Sequence, residues 1–506
     1  MAQKKSFFRR FWWLFIVIGI GIIILAIMII SGARNDQDSD NNDKGLLGLG
    51  KNVRNYNERI VKTFVPESGA AFKYNSPLLH KEYLYLGTSE KTGYDNMPVS
   101  EISDNYFYKL DLDFNIIWQY PLQKKMVTGG AVMDSDDNIY FLAELVTENP
   151  NFDANTEKDK EHKYFSQLEL FSLTPDGNLR WQISVSPEVE YWNRGMLGVA
   201  ISADDLIYFC NNRFYAFNSD GNQIGQYPDN NKKIIGSRGA PVIDSGGNVY
   251  FTASEPVELS QEYNTEIYKA YKFSPRLASL IWSTTMGNEV MSELDPNITP
   301  RKGLGIESTP SLGVGEKSLI GSTGGTISKF DTATGKLLWA SKPEGIIGYI
   351  TASPAIDGDD NIYVGSKSNQ YSKFFAIKSD GTLLWRRDIG ADLYNSPILG
   401  DDNAIYVGSE TVPKPSGKFH VLDRLTGEIK WEIGTDDEKK IPDFSVGSGL
   451  LYKGYIYIGV HSAKDGEDAS VRSEVLFKIK VEAYDYLPGA AWPRIYGGNS
   501  NTGRID

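Results

Sequence analysis

Between residues 350 and 387, apolar and polar side chains alternate in four short runs, about 350–356, 361–366, 373–378 and 382–387, separated by turn residues. A period of two marks a strand with one buried face. The block reads Thr351-Ala-Ser-Pro-Ala-Ile-Asp-Gly-Asp-Asp-Asn-Ile-Tyr-Val-Gly-Ser366, then Phe374-Phe-Ala-Ile-Lys-Ser-Asp-Gly-Thr-Leu-Leu-Trp385. It recurs as Asn395-Ser-Pro-Ile-Leu-Gly-Asp-Asp-Asn-Ala-Ile-Tyr-Val-Gly-Ser409, then Phe419-His-Val-Leu-Asp-Arg-Leu-Thr-Gly-Glu-Ile-Lys-Trp431. Asp-Asp-Asn or Asp-Ser-Gly-Gly-Asn separates the first two runs, and Asp-Gly or Thr-Gly the last two. These residues tolerate the positive φ of tight hairpins, so neighbouring strands are antiparallel. A repeat of this length made only of strands and tight turns predicts the blade of a propeller.

The closing aromatic of each block falls at Trp118, Trp181, Tyr227, Trp282, Trp339, Trp385 and Trp431, which marks seven blades. An eighth begins at Ser445-Val-Gly-Ser-Gly-Leu-Leu-Tyr and continues through Val475-Leu-Phe-Lys-Ile-Lys-Val481, with no Trp-marked fourth strand after it. Arg59-Ile-Val-Lys-Thr-Phe-Val65 leads into Tyr74-Asn-Ser-Pro as Leu383-Leu-Trp-Arg-Arg-Asp-Ile389 leads into Tyr394-Asn-Ser-Pro. The N-terminal segment therefore supplies the missing outer strand. The expected fold is all-β: an eight-bladed β-propeller of four-stranded antiparallel blades, closed by pairing of its N-terminal and C-terminal strands, which leaves only short protected edges.

Phe11 to Ile30 are twenty consecutive uncharged, almost wholly apolar residues, enough at about 1.5 Å each to cross a hydrocarbon core of about 30 Å. Lys4, Lys5, Arg9 and Arg10 precede them, and Asp36, Asp38, Asp40 and Asp43 follow. The expected organisation is a cytoplasmic basic tail (1–10), a transmembrane helix acting as a signal-anchor (11–30), a flexible Asp/Asn/Gly/Ser-rich stalk (31–56) and an extracytoplasmic propeller (57–506). A cleaved signal peptide is the competing reading, because Ser31-Gly32-Ala33 offers small residues. No Cys follows the span closely, so a lipoprotein anchor has no attachment site.

The net charge of −13 argues against nucleic-acid binding. Cys210, the single cysteine, cannot form an internal disulfide, and its place in Ile207-Tyr-Phe-Cys reads as a buried thiol. Segments about 143–163, 254–266, 410–417 and 461–473 lie between second and third strands, and 284–305 joins two blades. Blade parity puts all five on one face, which is the candidate binding surface for a protein or glycan. Around the axis, Asn75, Ser76, Arg238, Glu307, Ser308, Thr351, Asn395 and Ser396 could form a polar ring for a small ligand; close packing of converging strands also accounts for small residues there. Asp134, Asp136 and Asn138, and likewise Asp357, Asp359 and Asn361, have the alternating oxygen ligands that open a Ca²⁺ loop. The twelfth positions are Leu145 and Ser368, so neither loop closes with a glutamate, and tight-turn chemistry is the alternative.

The Ser-Pro strand starts (Ser76-Pro77, Ser353-Pro354, Ser396-Pro397), Thr334-Gly-Lys-Leu-Leu-Trp339, Thr426-Gly-Glu-Ile-Lys-Trp431 and the tail Trp492-Pro-Arg-Ile-Tyr-Gly-Gly-Asn-Ser-Asn-Thr-Gly-Arg504 resemble the PQQ-binding-like β-propeller repeat proteins. That superfamily holds the quinoprotein alcohol dehydrogenases and non-enzymatic relatives, among them a propeller lipoprotein of outer-membrane assembly. The resemblance implies fold more than activity. A quinoprotein dehydrogenase carries a vicinal cysteine pair against its quinone, and one cysteine cannot supply it. The expected function is a membrane-tethered protein- or glycan-binding scaffold of the cell envelope with no cofactor. The alternative is an oxidoreductase with an atypical site, dependent on PQQ and Ca²⁺ or on another ligand.

Overall fold

Antiparallel pairing gathers the strands into eight sheets, taken in chain order as blades 1 to 8. The computed structural model describes residues 56–503 except 69, 71, 73–74, 90–103, 149–163, 186–188, 191–197, 230–238, 258–264, 288–307, 345–348, 369–370, 410–416, 435–441, 444–447, 464–471 and 499. The apolar stretch 11–30 and the stalk up to residue 55 lie outside the described residues. Among the described residues no helix is long and apolar enough to cross a membrane.

Blade 6 shows the common plan: Ala355–Ile356, Ile362–Gly365, Lys373–Ile377 and Leu383–Asp388, each strand paired with the next. The first strand is short because it lies at the crowded axis. The fourth alternates exposed and half-buried positions because it forms the rim. Between blades, the inward faces of adjacent sheets interlock. Phe107, Phe141 and Phe171 stack between blades 1 and 2, with ring centroids 4.2 and 5.1 Å apart. Such burial of aromatic and aliphatic surface is the main stabilising term.

Ring closure follows the expected pairing. Ile60–Phe64 pairs antiparallel with Arg472–Lys480, setting Ile60 opposite Ile479 and Phe64 opposite Leu476. The first and last described strands thus share blade 8. The segments read as long connections between second and third strands are in part extensions of those strands. Blade 2 extends these strands to Ile139–Glu148 and Tyr164–Leu173, blade 4 to Val249–Val257 and Thr265–Phe273, and blade 8 to Tyr455–Ala463 and Arg472–Lys480. Parity places these longer hairpins on the face opposite the tight turns.

The closing tryptophans do more than end a strand. Five of the six indole N–H groups donate to the backbone of the next blade: Trp118 to Pro175 O, Trp181 to Ser219 O, Trp282 to Thr332 O, Trp339 to Ser379 O and Trp385 to Arg424 O, at 2.9–3.1 Å. The turn glycine of that next blade packs against the ring. At Gly335 (φ 72°) a Cβ would stand 2.6 Å from Trp282, so only glycine fits both the space and the left-handed backbone. Blade 3 has Tyr227 instead, and blade 4 correspondingly replaces the glycine turn with the short 3₁₀ segment Pro275–Leu277. There Tyr227 packs on Phe273 at 5.0 Å. The two departures compensate each other.

Candidate functional site

Six of the eight residues expected on the axial ring are among the described residues, and of their hydroxyls all but that of Thr351 are engaged. Asn75, Ser76, Ser308, Thr351, Asn395 and Ser396 are all buried at the starts of innermost strands in blades 1, 5, 6 and 7. Hydroxyls at this level accept the backbone N–H of the preceding blade. Ala240 donates to Thr309 Oγ1 (2.9 Å), Thr309 to Ser353 Oγ (2.8 Å), Ser353 to Ser396 Oγ (3.0 Å) and Ser396 to Ser448 Oγ (3.2 Å). Ser76 Oγ then donates to Ser448 O at 3.1 Å, across the closure between blades 8 and 1. A Ser-Pro start suits this position: the hydroxyl links two blades, and proline has no N–H that needs an acceptor. Ser308 Oγ turns to Ser322 Oγ at 2.7 Å, and Thr351 Oγ1 has no partner among the described residues. Arg238 and Glu307, the two charges expected on the ring, lie outside the described residues.

The axis has an occupant that repeat reasoning missed, the chain's own C-terminal tail. Trp492 pairs with Ile356 of blade 6, Leu399 of blade 7 donates to Pro493 O, Ile201 of blade 3 to Thr502 O and Ile243 of blade 4 to Gly503 O. Trp492, Arg494 and Tyr496 are among the largest fully buried side chains. Arg494 donates through Nη2 to Ser76 Oγ and to Asn501 Oδ1 (2.7 Å), while Asn501 Nδ2 donates to Ser76 O at 3.1 Å. Tyr496 lies against Gly130 of blade 2 and Gly198 of blade 3, where an added Cβ would come within 2.9 Å of its ring. Burial pushes its phenol up to about 12. The sequence marks the tail Trp492 to Arg504 as a segment outside the repeat that shares the family resemblance, without a sign that it fills the axis.

The two candidate Ca²⁺ turns act as Asx turns. Asp357, 1% exposed, accepts from the N–H of Asp359 and Asn361 through Oδ1, and from Asn361 Nδ2, Tyr363 OH and Arg424 Nη1 through Oδ2. Asp134 repeats this with Asp136, Asn138 and Tyr140, and Asp244 with Gly246, Asn248 and Tyr250. Burial, and then the facing carboxylate, push the Tyr140 and Tyr250 phenols well above their ordinary range. The motif Asp-x-x-x-Asn-x-Tyr thus spends its carboxylate oxygens inside the turn. Among the described residues no three His, Cys, Asp or Glu side chains are grouped to hold a metal.

One cluster in blade 7 has the hydrogen bonds of a nucleophile, a base and an orienting carboxylate. Ser409 Oγ lies 2.8 Å from His420 Nε2, and His420 Nδ1 2.6 Å from Glu432 Oε1. Ser409 is wholly buried, and its Oγ also bonds the Lys418 N–H (3.0 Å) and O (3.2 Å). A hydroxyl so enclosed cannot reach a substrate, and the group staples three strands together. Burial works to raise the Glu432 pKa, but the bonds and charges of His420 and Lys418 outweigh it and hold the carboxyl below its ordinary range. Cys210 is buried in blade 3, its Sγ directed at Asn211 O.

Residues 311–473, the sequence-regular blades 5 to 8, match the PQQ-like repeat model described as outer membrane protein assembly factor BamB. These blades are similar to PQQ-like repeats. A curated relative, the outer membrane protein assembly factor BamB of Burkholderia pseudomallei (strain K96243), is 23% identical over 217 residues, 42% of this chain and 48% of that protein. The chain thus matches about half the length of that relative. Among solved structures, BamB from Moraxella catarrhalis aligns with a TM-score of 0.47 at 14% identity, over 83% of this chain and 98% of that one. The Dos1 propeller aligns at 0.48 and 12% identity, over 84% and 96%. The dihydro-heme d1 dehydrogenase NirN aligns at 0.43 and 11%, over 74% and 71%. In this eight-bladed propeller the axial ring, the tail and the Asp turns all serve the ring itself, whereas the longest hairpins project from one face.

Proposed function

We propose that the chain is a membrane-tethered, extracytoplasmic scaffold that binds protein partners in the cell envelope through the face bearing the long hairpins. The observation that carries this reading is the match of residues 311–473 to the outer membrane assembly factor family. The apolar run Phe11 to Ile30, flanked by basic residues on one side and acidic ones on the other, supports the tether and its orientation. The lone Cys210 supports a scaffold over a quinoprotein dehydrogenase, because a vicinal disulfide needs two cysteines. The longer hairpins of blades 2, 4 and 8 favour the opposite face over the tight-turn face as the docking surface.

The test has two arms. Membranes from cells making the full chain are extracted with alkaline carbonate and treated with protease from outside. The expected result is carbonate-resistant retention with the propeller accessible; release into the soluble fraction rejects the tether. In parallel, the purified chain is mixed with PQQ and Ca²⁺, and a shifted quinone spectrum with dye reduction by alcohols would establish the oxidoreductase instead.

A further inference from the structure

We propose that the corner of the tight-turn face where blade 7 meets blade 8, carrying Leu425 and Tyr484, docks a basic segment of a partner protein around an apolar anchor. This contact lies opposite the long hairpins and goes beyond any partner bound there. Tyr484 (62% exposed) and Leu425 (60%) are the two most exposed large hydrophobic side chains among the described residues. One short turn of blade 7 brings them together. Tyr484, which follows the third strand of blade 8, donates its N–H to Asp401 Oδ1 at 2.9 Å. Arg424, the neighbour of Leu425, donates its N–H to Asn403 O at 2.9 Å and its Nη2 to Asn403 Oδ1 at 3.1 Å. The two apolar side chains therefore flank the single turn from Asp401 to Asn403.

Both backbones are fixed. Asp423 Oδ1 accepts the N–H of Leu425 (3.0 Å) and of Thr426 (2.9 Å), and Arg424 Nη1 reaches the buried Asp357 of blade 6 at 2.7 Å. Beside Tyr484, Gly454 donates to its carbonyl at 3.2 Å, Asp401 N–H to Asp485 O at 2.9 Å, and Asp485 N–H to Asp401 Oδ2 at 3.2 Å. Apolar side chains on such turns bind without ordering the backbone first, which is the property of interface anchors. The surrounding charge sets the class of partner. Asp401, Asp423, Glu428 and Asp485 stand on these same segments, and none of them pairs with a cation among the described residues. The cations nearby are already taken: Arg59 by Glu482, Arg424 by Asp357, Lys430 by Asp402 and Lys453 by Glu82. Carboxylates without counter-ions around exposed apolar groups select Lys or Arg on the incoming surface, as does the net charge of −13. An anionic lipid surface, or a second copy of this chain bearing the same acids, would be repelled.

The experiment is photo-crosslinking in native membranes of the full chain with benzoylphenylalanine at position 425, or at position 285 on the hairpin face. The expected result at 425 is a protein adduct whose crosslinked segment, mapped by mass spectrometry, carries an apolar residue flanked by Lys or Arg. Its yield should fall about tenfold when Glu428→Lys and Asp485→Lys are combined, and about threefold when Glu428→Gln and Asp485→Asn are. Tyr484→Ser should lower it as well. Circular dichroism melting of each variant confirms that the ring is intact. Capture at 285 without capture at 425 overturns this corner and leaves the scaffold reading standing; capture at 425 alone supports the corner and counts against the hairpin face. No capture at either position, an adduct with lipid or with a second copy of the chain, or a yield indifferent to the charge reversal overturns the proposal.

Discussion

Replacing Trp282 by phenylalanine keeps a ring in contact with Gly335 but removes the 3.0 Å bond to Thr332 O. That carbonyl also accepts from Lys272 Nζ, so the cost should be about 1 kcal/mol, read as a lower urea midpoint with an unchanged slope. Gly335→Ala should cost more, about 1–3 kcal/mol, because its methyl group meets the indole and its backbone is left-handed. Carboxylates at left-handed positions form a second set of links between blades. Asp137 (φ 64°) of blade 2 reaches Lys81 and His80 of blade 1, and Glu82 of blade 1 reaches Lys453 of blade 8. The hydrogen bond from Lys81 holds the Asp137 carboxyl below its ordinary range. A depressed folded pKa means that this stabilisation is complete above about pH 4 and is lost as pH falls through the lower, folded value. The stability difference between the native chain and Asp137→Asn should therefore shrink below pH 4 in denaturant titrations. Had the carboxylate been read wrongly, the difference would not move with acid.

At the scale of elements, the closing blade differs from the other seven because its third and fourth strands are not joined by a hairpin. The turn glycine that would receive Trp431 is therefore missing. In its place Glu482, just after the third strand, accepts the Trp431 indole N–H at 3.0 Å and pairs with Arg59 at 2.6 Å. The Arg59 guanidinium lies 4.2 Å from the centroid of the Trp431 ring. A clasp of three side chains replaces a covalent turn. Glu482→Ala should weaken the ring by about 1–2 kcal/mol, since the pair is only partly exposed and the indole loses its acceptor. Removing residues 1–65 should do far more, by opening the edge of Arg472–Lys480 to another chain. Size-exclusion chromatography should then show association, and a peptide of residues 57–66 added in trans should reverse it. The closure was legible because Arg59 to Val65 imitates Leu383 to Ile389 in pattern. The clasp was not, because Glu482 follows the last repeat and no periodicity reaches it. For the same reason the tryptophans were readable as strand ends, while their docking on the next blade's glycine needed the sheets side by side. The ring serines were found by position, but their partners lie 43 to 69 residues away along the chain or, for Ser76 and Ser448, 372.

Across the whole molecule, repeat proteins made of nearest-neighbour contacts tend to lose cooperativity as they lengthen. Two features oppose this here: the shared eighth blade, and a tail that touches blades distant from one another in the ring. The tail takes backbone donors from Ile201 in blade 3, Ile243 in blade 4, Ile356 in blade 6 and Leu399 in blade 7, and a side-chain partner from Ser76 in blade 1. It therefore binds the inner ends of non-adjacent blades into one unit. Without it those four amides would lose their acceptors in a buried setting, which the ring tolerates only by admitting water along the axis. In the native chain the amides of Ile201, Ile243, Ile356 and Leu399 should exchange with solvent only through global opening. Ending the chain after Glu482, which spares the clasp, should speed their exchange selectively, while amides of the second and third strands such as Phe209, Tyr363 and Val421 stay protected. The melting transition should broaden as blades begin to open independently. Equal acceleration of inner and outer amides would mean that the tail only adds stability and does not couple the blades.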